Sequence, residues 1–499
     1  MDKELLAALL TLKGETDPAR IRAYQERARA EFAAVGRSTT LDELREQVPP
    51  GLAEMLRVPG LGAAKVRLIH EELDIDSLAE LETAASDGRL AALRGFGAKT
   101  AENIRRGIAA LREGTEYRLL HHAIDEAEAI ARNLAALPGV RRVEIAGAVR
   151  RRCELIRDLD FLVVQDERRE LRTPPGVRLT PTTPPNAGLA LLRATGSDAH
   201  VAGLEERAAA RGLSLVAGSW PDEESVYRAL GLPWIAPELR EGLGEIQAAA
   251  EGRLPRLLVQ SDLKGLLHCH TNYSDGTTTV AEWAEASRAA GYSWMGITDH
   301  GESSAYASGL RAEDVGRQHV EIDLANRRYD DFRLLKGVEA DILADGSLDY
   351  GPAVLDRFDF VIASIHTRFG MTGGEMTARV LKALDDPHTT ILGHPTGRLL
   401  LSREPYAIDL DRVMERAAER GVAIELNADP HRLDLDWRLV RRARALGVTI
   451  SLGADAHSVA GMSNVAVGVA IARKGWLSVD EVVNTRDADG FLDFARAFA

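Results

Sequence analysis

The stretch GLLHCHTNYSDG (265–276) runs a short apolar segment straight into His268, His270 and Asp275, and its reading decides the fold of the C-terminal half. The pattern recurs. GITDH ends on His300, GVEAD carries Glu339, IASIH ends on His366, ILGHP carries His394, and GADAH carries Asp455 and His457. Apolar runs at 265–270, 293–299, 333–339, 358–366, 389–394, 421–427 and 447–454 read as strands, separated mostly by helical patterns. That alternation implies a mainly parallel sheet. Every candidate ligand falls at or just after the C-terminal end of a strand, where barrel active sites gather. His268/His270 and Asp455/His457 are spaced i, i+2, so each pair points to one side of an extended chain, while Cys269 should face the barrel wall.

Imidazole and carboxylate together suit Zn²⁺, Mn²⁺ or Fe²⁺, and nine such donors are too many for one ion. Two or three ions clamping a phosphate is the economical reading, and it points to a phosphoesterase or nuclease. His319, His388 and His431 fit no ligand position and read as supporting or surface residues.

With 499 residues the chain is too long for one ordinary core, and roughly two to four domains are expected. Apolar content of 45% and charged content of 28% suit a soluble globular protein. Cys153 and Cys269 are the only cysteines, which excludes a disulfide framework. No apolar run reaches membrane-spanning length and the first residues lack a secretory pattern, so a cytoplasmic protein without a membrane partner is expected. A net charge of −14 argues against wholesale attraction to nucleic acid but allows a local basic groove.

Residues 1–115 read as helical, with RVPGLGAAKVRLIHEEL (57–73) and LRGFGAKTAENIRRGI (93–108) each leading a glycine turn into a helix. Gly60 and Gly62 precede Lys65, as Gly95 and Gly97 precede Lys99. Such a turn exposes backbone N–H groups at a helix N-terminus and suits phosphate. A plain glycine turn is the alternative for either segment alone; the tandem favours DNA binding. Residues 117–135 form an amphipathic helix, and 140–164 read as strand, glycine turn and strand. A polar, proline-punctuated stretch covers 166–187, helical patterns resume to about 250, and 251–264 read as a linker. Six arginines lie within 141–157, among them Arg150 and Arg151; they read as a phosphate-binding patch or as a solvated basic face.

The runs HCHTNYSDG, GITDHG, GVEADILADGSLD, ASIHTRF, ILGHPTGR, ELNADPHRLDLDW and GADAHS resemble the polymerase and histidinol phosphatase (PHP) domain over about 265–480. Upstream, the two glycine-turn segments resemble helix-hairpin-helix elements, and GAVRRRCELIRDLDFLV resembles the nucleotidyltransferase signature of family X DNA polymerases. In this order they resemble a bacterial family X DNA polymerase with a C-terminal PHP domain. The implied architecture is multidomain α/β. A helical DNA-binding region (1–115) precedes a reduced nucleotidyltransferase-like palm and thumb remnant (116–250), a linker (251–264) and a distorted (β/α)7 PHP barrel (265–499). The resemblance also implies two or three divalent ions, Mn²⁺ or Zn²⁺ with Fe²⁺ as a further option. One would sit on His268, His270, Glu339 and Asp455; a second would share Glu339 and add His366 and His394; a third would take Asp275, His300 and His457. Arg368 and Arg398 could clamp the substrate phosphate or pair with a barrel carboxylate.

The polymerase half departs from that family where its chemistry lies. Asp158 and Asp160 supply an i, i+2 carboxylate pair for two-metal nucleotidyl transfer. The third carboxylate is missing: counting back from ATGSDAH (194–200) puts Arg178 at its place. An arginine there would pair with the carboxylates and repel a cation, which argues against Mg²⁺ at Asp158/Asp160. The family's phosphate-binding Gly-Ser is Gly147-Ala148, and FAAVGRSTTLDEL (32–44) stands where the lyase lysine is expected, without a lysine.

The expectation is therefore a metal-dependent DNA phosphodiesterase. It would act as a 3′→5′ exonuclease or on 3′ ends or abasic sites in DNA repair, holding gapped or single-stranded DNA without sequence preference. One alternative is an active gap-filling polymerase in which Asp166 or Glu167 replaces the lost aspartate. The other is a small-molecule phosphomonoesterase of the histidinol-phosphatase type.

Overall fold

In the computed structural model all residues are described except 1–2, 16, 36–37, 57, 59–60, 116, 168, 170, 172, 174, 305–306 and 498–499. The chain divides into a smaller unit, Met1–Tyr117, and a larger one formed by Arg118–Leu400 and Glu404–Ala499.

The smaller unit is helical. Its helices include Pro18–Val35, Ala63–Leu73, Leu78–Asp87 and Ala98–Thr115, and Leu6, Leu9, Met55, Val66, Ile69, Leu81 and Ile108 are fully buried among them. Ser38 and Ser77 cap two of its helices by accepting from Leu41 N and Glu80 N.

The larger unit opens with the Leu120–Ala135 helix, which packs on a three-stranded sheet of Val140–Ile145, Leu159–Gln165 and Val177–Thr182. The first two strands pair antiparallel and the last two parallel, with Asp160 directly opposite Arg178. Thus the polar, proline-punctuated stretch at 166–187 contributes a strand. Its Pro181 is tolerated because this is an edge strand. The Ala187–Thr195, Asp198–Ala210 and Glu223–Ala229 helices follow. Residues 251–264, expected as a linker, are docked: Leu258 is buried and its N–H donates to Leu477 O, 3.0 Å away.

Seven parallel strands then close a barrel: Gly265–Cys269, Trp294–Ile297, Arg333–Asp341, Phe360–Ser364, Thr389–Leu392, Ala423–Asn427 and Ile450–Ala456. Each overlaps one of the seven apolar runs. Near-continuous hydrophobicity is what a sheet buried on both faces requires. Leu267, Leu335, Ile362 and Ile391 pack with Trp294 and Phe491, the latter from the C-terminal Ala488–Arg496 helix. Cys269 is buried in the wall with Val280 and Trp283, as its alternation predicted. A single buried cluster runs from Leu120, Ala123 and Phe161 of the sheet region to Val440, Leu452 and Leu477 of the barrel, so the two fold as one body.

Candidate metal centre

Glu339 is the hub of the barrel's functional end. It is fully buried on the Arg333–Asp341 strand, and five of the predicted histidines surround its carboxylate. His300 Nδ1 lies 2.8 Å away, His394 Nε2 3.0 Å, His268 Nε2 and His366 Nε2 both 3.3 Å, and His270 Nε2 3.8 Å. Asp455 Oδ1 stands 3.4 Å from His270 Nε2, and Asp275 Oδ1 3.3 Å from His457 Nε2. The His270 ring stacks between those of His300 and His457, with centroids 4.3 and 4.2 Å apart.

All nine residues singled out from the sequence therefore lie in one cluster. Donor atoms come within 4.8 Å of one another in four overlapping groups: His270/Asp275/His300/His457, His268/His394/Asp455, His268/His270/Glu339 and His300/Glu339/His366. These groups overlap the ligand sets implied by the resemblance but are not identical to them. His270 joins the Asp275 group, and His300 joins Glu339 and His366.

The local backbone explains the convergence. His268 (φ 59°) and Asp455 (φ 47°) occupy the left-handed region that non-glycine residues rarely adopt, and the pairing between their strands shifts register between Gly453 and Ala456. Such irregularities re-aim side chains at functional sites. Gly453 is required: a Cβ there would stand 1.8 Å from Glu425 Oε1.

The donors fit divalent cations. His270 Nδ1 and His394 Nδ1 are buried without a hydrogen-bond partner. Such groups cost ~1–3 kcal/mol each when left unsatisfied. Burial opposes charge on Glu339, yet His268, His366 and His300 hold its carboxyl well below the usual range. Asp455 is likewise depressed against burial, by His268, His270 and Arg432. Burial together with His300 drives His270 down to about 3. Against burial, Glu339 and Asp341 raise His366 to about 10, and Asp275 and Asp455 raise His457 to about 9. The centre thus couples carboxylates favoured in their ionised form to a neutral His270 and to His366 and His457, whose extra protons a cation would displace.

Residues that orient these ligands escaped the sequence reading. Glu425 Oε1 lies 2.5 Å from His268 Nδ1, and Glu425 Oε2 accepts from His394 N at 2.7 Å. Asp341 accepts from His366 Nδ1. Asp299 accepts from Thr271 N, Thr271 Oγ1 and Ser274 Oγ, fixing the turn after His270. Asn427 Nδ2 donates to Asp455 Oδ2 at 3.0 Å. Partners of this kind set ring orientation and tautomer. Glu425, Asp341 and Asp299 share a signal that was available in the sequence, a carboxylate in or just after the C-terminal part of a barrel strand.

The two proposed phosphate clamps separate. Arg398 is committed internally: Nε donates to Arg432 O at 2.9 Å, Nη1 to Asp436 Oδ2 at 2.6 Å and Nη2 to Leu433 O, so it supports the loop after the Ala423–Asn427 strand instead of clamping phosphate. Arg368 is exposed two residues beyond His366. The cation that does face the cluster is Arg432, whose Nε lies 3.2 Å from Asp455 Oδ2. Of the outlying histidines, His319 meets Phe358 edge-on, His388 pairs with Asp386 and Asp356, and His431 pairs with Asp429.

At the second acidic site, Arg178 holds Asp160 with two parallel bonds, Nε to Oδ1 at 2.7 Å and Nη2 to Oδ2 at 3.0 Å. Its Nη1 lies 3.6 Å from Asp158 Oδ2. The arginine is therefore paired with the carboxylates that a cation there would need. Gly147 (φ 59°) abuts the same carboxylate, and a Cβ there would stand 1.9 Å from Asp160 Oδ2.

The expected DNA contacts divide. Gly60 lies outside the described residues. Gly62 precedes the Ala63–Leu73 helix with Lys65 in its first turn; Gly97 precedes Ala98–Thr115 with Lys99 likewise, and Gly95 takes φ 91° in the preceding turn. Gly62, Lys65, Gly95, Gly97 and Lys99 are all exposed. Arg150 and Arg151, by contrast, are turned inward. Arg150 pairs with Glu223 at 2.8 Å and donates to Thr195 Oγ1; Arg151 pairs with Glu241 at 2.9 Å and donates to Thr195 O. These partners remove both from the list of phosphate contacts. Arg141 and Arg142 likewise pair with Asp166 and Glu144.

Comparison with known proteins follows the same division. Residues 267–429 match the PHP domain, 52–110 the SAM-like helix-hairpin-helix tandem, and 190–241 the DNA polymerase beta thumb. The DNA polymerase/3′-5′ exonuclease PolX of Bacillus subtilis (strain 168) is 33% identical over 93% of this chain and 88% of its own length. A probable phosphatase of Clostridium acetobutylicum is 31% identical over 32% of this chain and 63% of its own, under two thirds of that protein. A crystal structure of histidinol phosphate phosphatase from Lactococcus lactis, complexed with zinc, L-histidinol and phosphate, covers 42% of this chain and 93% of its own, at 17% identity and a TM-score of 0.33. A near full-length relationship, hairpin tandem, thumb and PHP barrel place this chain among the bacterial family X DNA polymerases that carry a C-terminal PHP domain.

Proposed function

We propose that this chain is a metal-dependent DNA phosphodiesterase that processes 3′ ends or abasic sites in DNA repair, and that its polymerase half holds DNA without extending it. One contrast carries the reading: nine candidate ligands converge, with Glu339 at their hub, while Arg178 pairs with Asp160 and approaches Asp158. Mn²⁺ or Zn²⁺, with Fe²⁺ as a further option, would be held by His268, His270, Asp275, His300, Glu339, His366, His394, Asp455 and His457. Once bound, such ions activate water and neutralise phosphate charge. The chain's own residues hold this arrangement. Glu425 and Asp341 fix the His268 and His366 rings, and Arg432 puts a guanidinium at the rim of an otherwise acidic centre. The exposed glycine turns at Gly62 and Gly95–Gly97 suit the backbone of gapped or single-stranded DNA, read without sequence preference.

Rescue of polymerase chemistry by Asp166 finds no support. Asp166 pairs with Arg141 and lies six residues along an extended strand from Asp160, roughly 20 Å away at ~3.3 Å per residue. The test uses metal-stripped protein, a labelled gapped DNA and all four deoxynucleotides, with Mn²⁺, Zn²⁺ and Mg²⁺ added separately. Products shortened by wild type and D160A but not by H268A support the proposal. Products lengthened in an Asp160-dependent manner would refute the polymerase part of it.

A further inference from the structure

The polymerase-like signature segment reaches the metal centre through an unbroken chain of contacts inside the larger unit. Glu154, nearly buried, accepts from Trp437 Nε1 at 3.0 Å and from Arg438 Nη1 at 2.6 Å. Arg438 Nη1 also lies 3.0 Å from Asp436 Oδ2, the oxygen that Arg398 Nη1 reaches at 2.6 Å. Arg398 in turn holds the carbonyls of Arg432 and Leu433, and Arg432 extends its own guanidinium to Asp455. A second tie acts beside the first. Lys474, fully buried, pairs with Glu241, donates to Arg151 O at 3.1 Å and sits 4.4 Å over the Trp437 ring. At the other end of the 429–438 loop, the His121 ring of the palm helix lies 5.5 Å from that of His431. The loop that presents Arg432 is thus gripped by the polymerase remnant at both ends.

We infer that Glu154 is a positioning residue for phosphoester cleavage at the barrel: it acts through Arg438, Asp436 and Arg398 to fix Arg432 beside Asp455. The inference rests on the phosphodiesterase reading above. It gives the remnant a reason to keep its signature segment after its carboxylate pair has been taken by an arginine. Outer partners of a metal site typically cost about 10–100-fold in affinity or activity when removed.

The test is a double-mutant cycle on the full chain, reading Mn²⁺-dependent cleavage of a 3′-labelled single-stranded DNA by wild type, E154Q, R432A and the double variant, with H268A as control. E154Q keeps the size and one acceptor of the side chain but removes the charge opposite Arg438. It is expected to lower kcat/KM about tenfold in the wild-type background and to cause no further loss in the R432A background. General destabilisation would lower the active fraction equally in both backgrounds, so additive losses overturn the inference while leaving the phosphodiesterase reading intact. An unchanged kcat/KM in E154Q also overturns it. Absence of His268-dependent cleavage in wild type overturns both. Should E154Q fail to fold, R438K tests the same chain from the partner side, with the same expected non-additivity.

Discussion

Two acidic sites in this chain meet an arginine, with opposite results. In the three-stranded sheet Arg178 takes both oxygens of Asp160 and approaches Asp158, so one positive charge faces two negative ones. In the barrel Arg432 touches one oxygen of Asp455, while Glu339, Asp275 and six histidines remain turned toward one another. An arginine competes least with a cation where neutral donors supply most of the ligation and it engages only an outer oxygen, and most where two carboxylates are the whole donor set.

The largest effect that would break this contrast is loss of the hub. H268A or E339Q should lower Mn²⁺-dependent hydrolysis by more than the ~100-fold typical of losing a merely orienting residue, read as kcat/KM. The next sharpens how arginines are used structurally. Glu223, despite burial, is held at about 2 by Arg150 and Arg240, against an ordinary 4.5. A depressed carboxyl contributes stability that is complete above about 4.5 and is lost as pH falls toward about 2. At 1.36 kcal/mol per unit this amounts to on the order of 3 kcal/mol. R150A should therefore move acid unfolding of the full chain to higher pH, followed by circular dichroism. R178A should cost about 1 kcal/mol or less, because the arginine is largely exposed, and should leave cleavage unchanged. R178D should go further and create a Mn²⁺ site dependent on Asp160, absent from wild type. The smallest effect is at the hairpins: K65A/K99A should weaken DNA binding several-fold and flatten its salt dependence by up to about two counterions.

The barrel was legible almost entirely from sequence because its signals are local. Six of the seven apolar runs of strand length end near a candidate metal ligand, and parallel closure then brings the ends together. Arg178 was legible by its spacing from ATGSDAH and the family resemblance, and the strand pairing puts it opposite Asp160. What failed was pairing at a distance. Arg150 reads as an exposed base until Glu223, 73 residues later, arrives beside it, and Arg398 reads as a clamp until the 432–436 loop folds over it. The strand at 177–182 was obscured by the prolines around it, and the docking of residues 251–264 by their lack of periodicity.

The sharpest contrast between the two sites is whether divalent ions bind around Glu339 or at Asp158/Asp160. Titrating Mn²⁺ into metal-free protein, with free ion followed by electron paramagnetic resonance, tests it directly. Two or three tight sites per chain are expected in wild type and in D158N/D160N, with most of them lost in H268A/E339Q. Tight sites that vanish in D158N/D160N and persist in H268A/E339Q would contradict it.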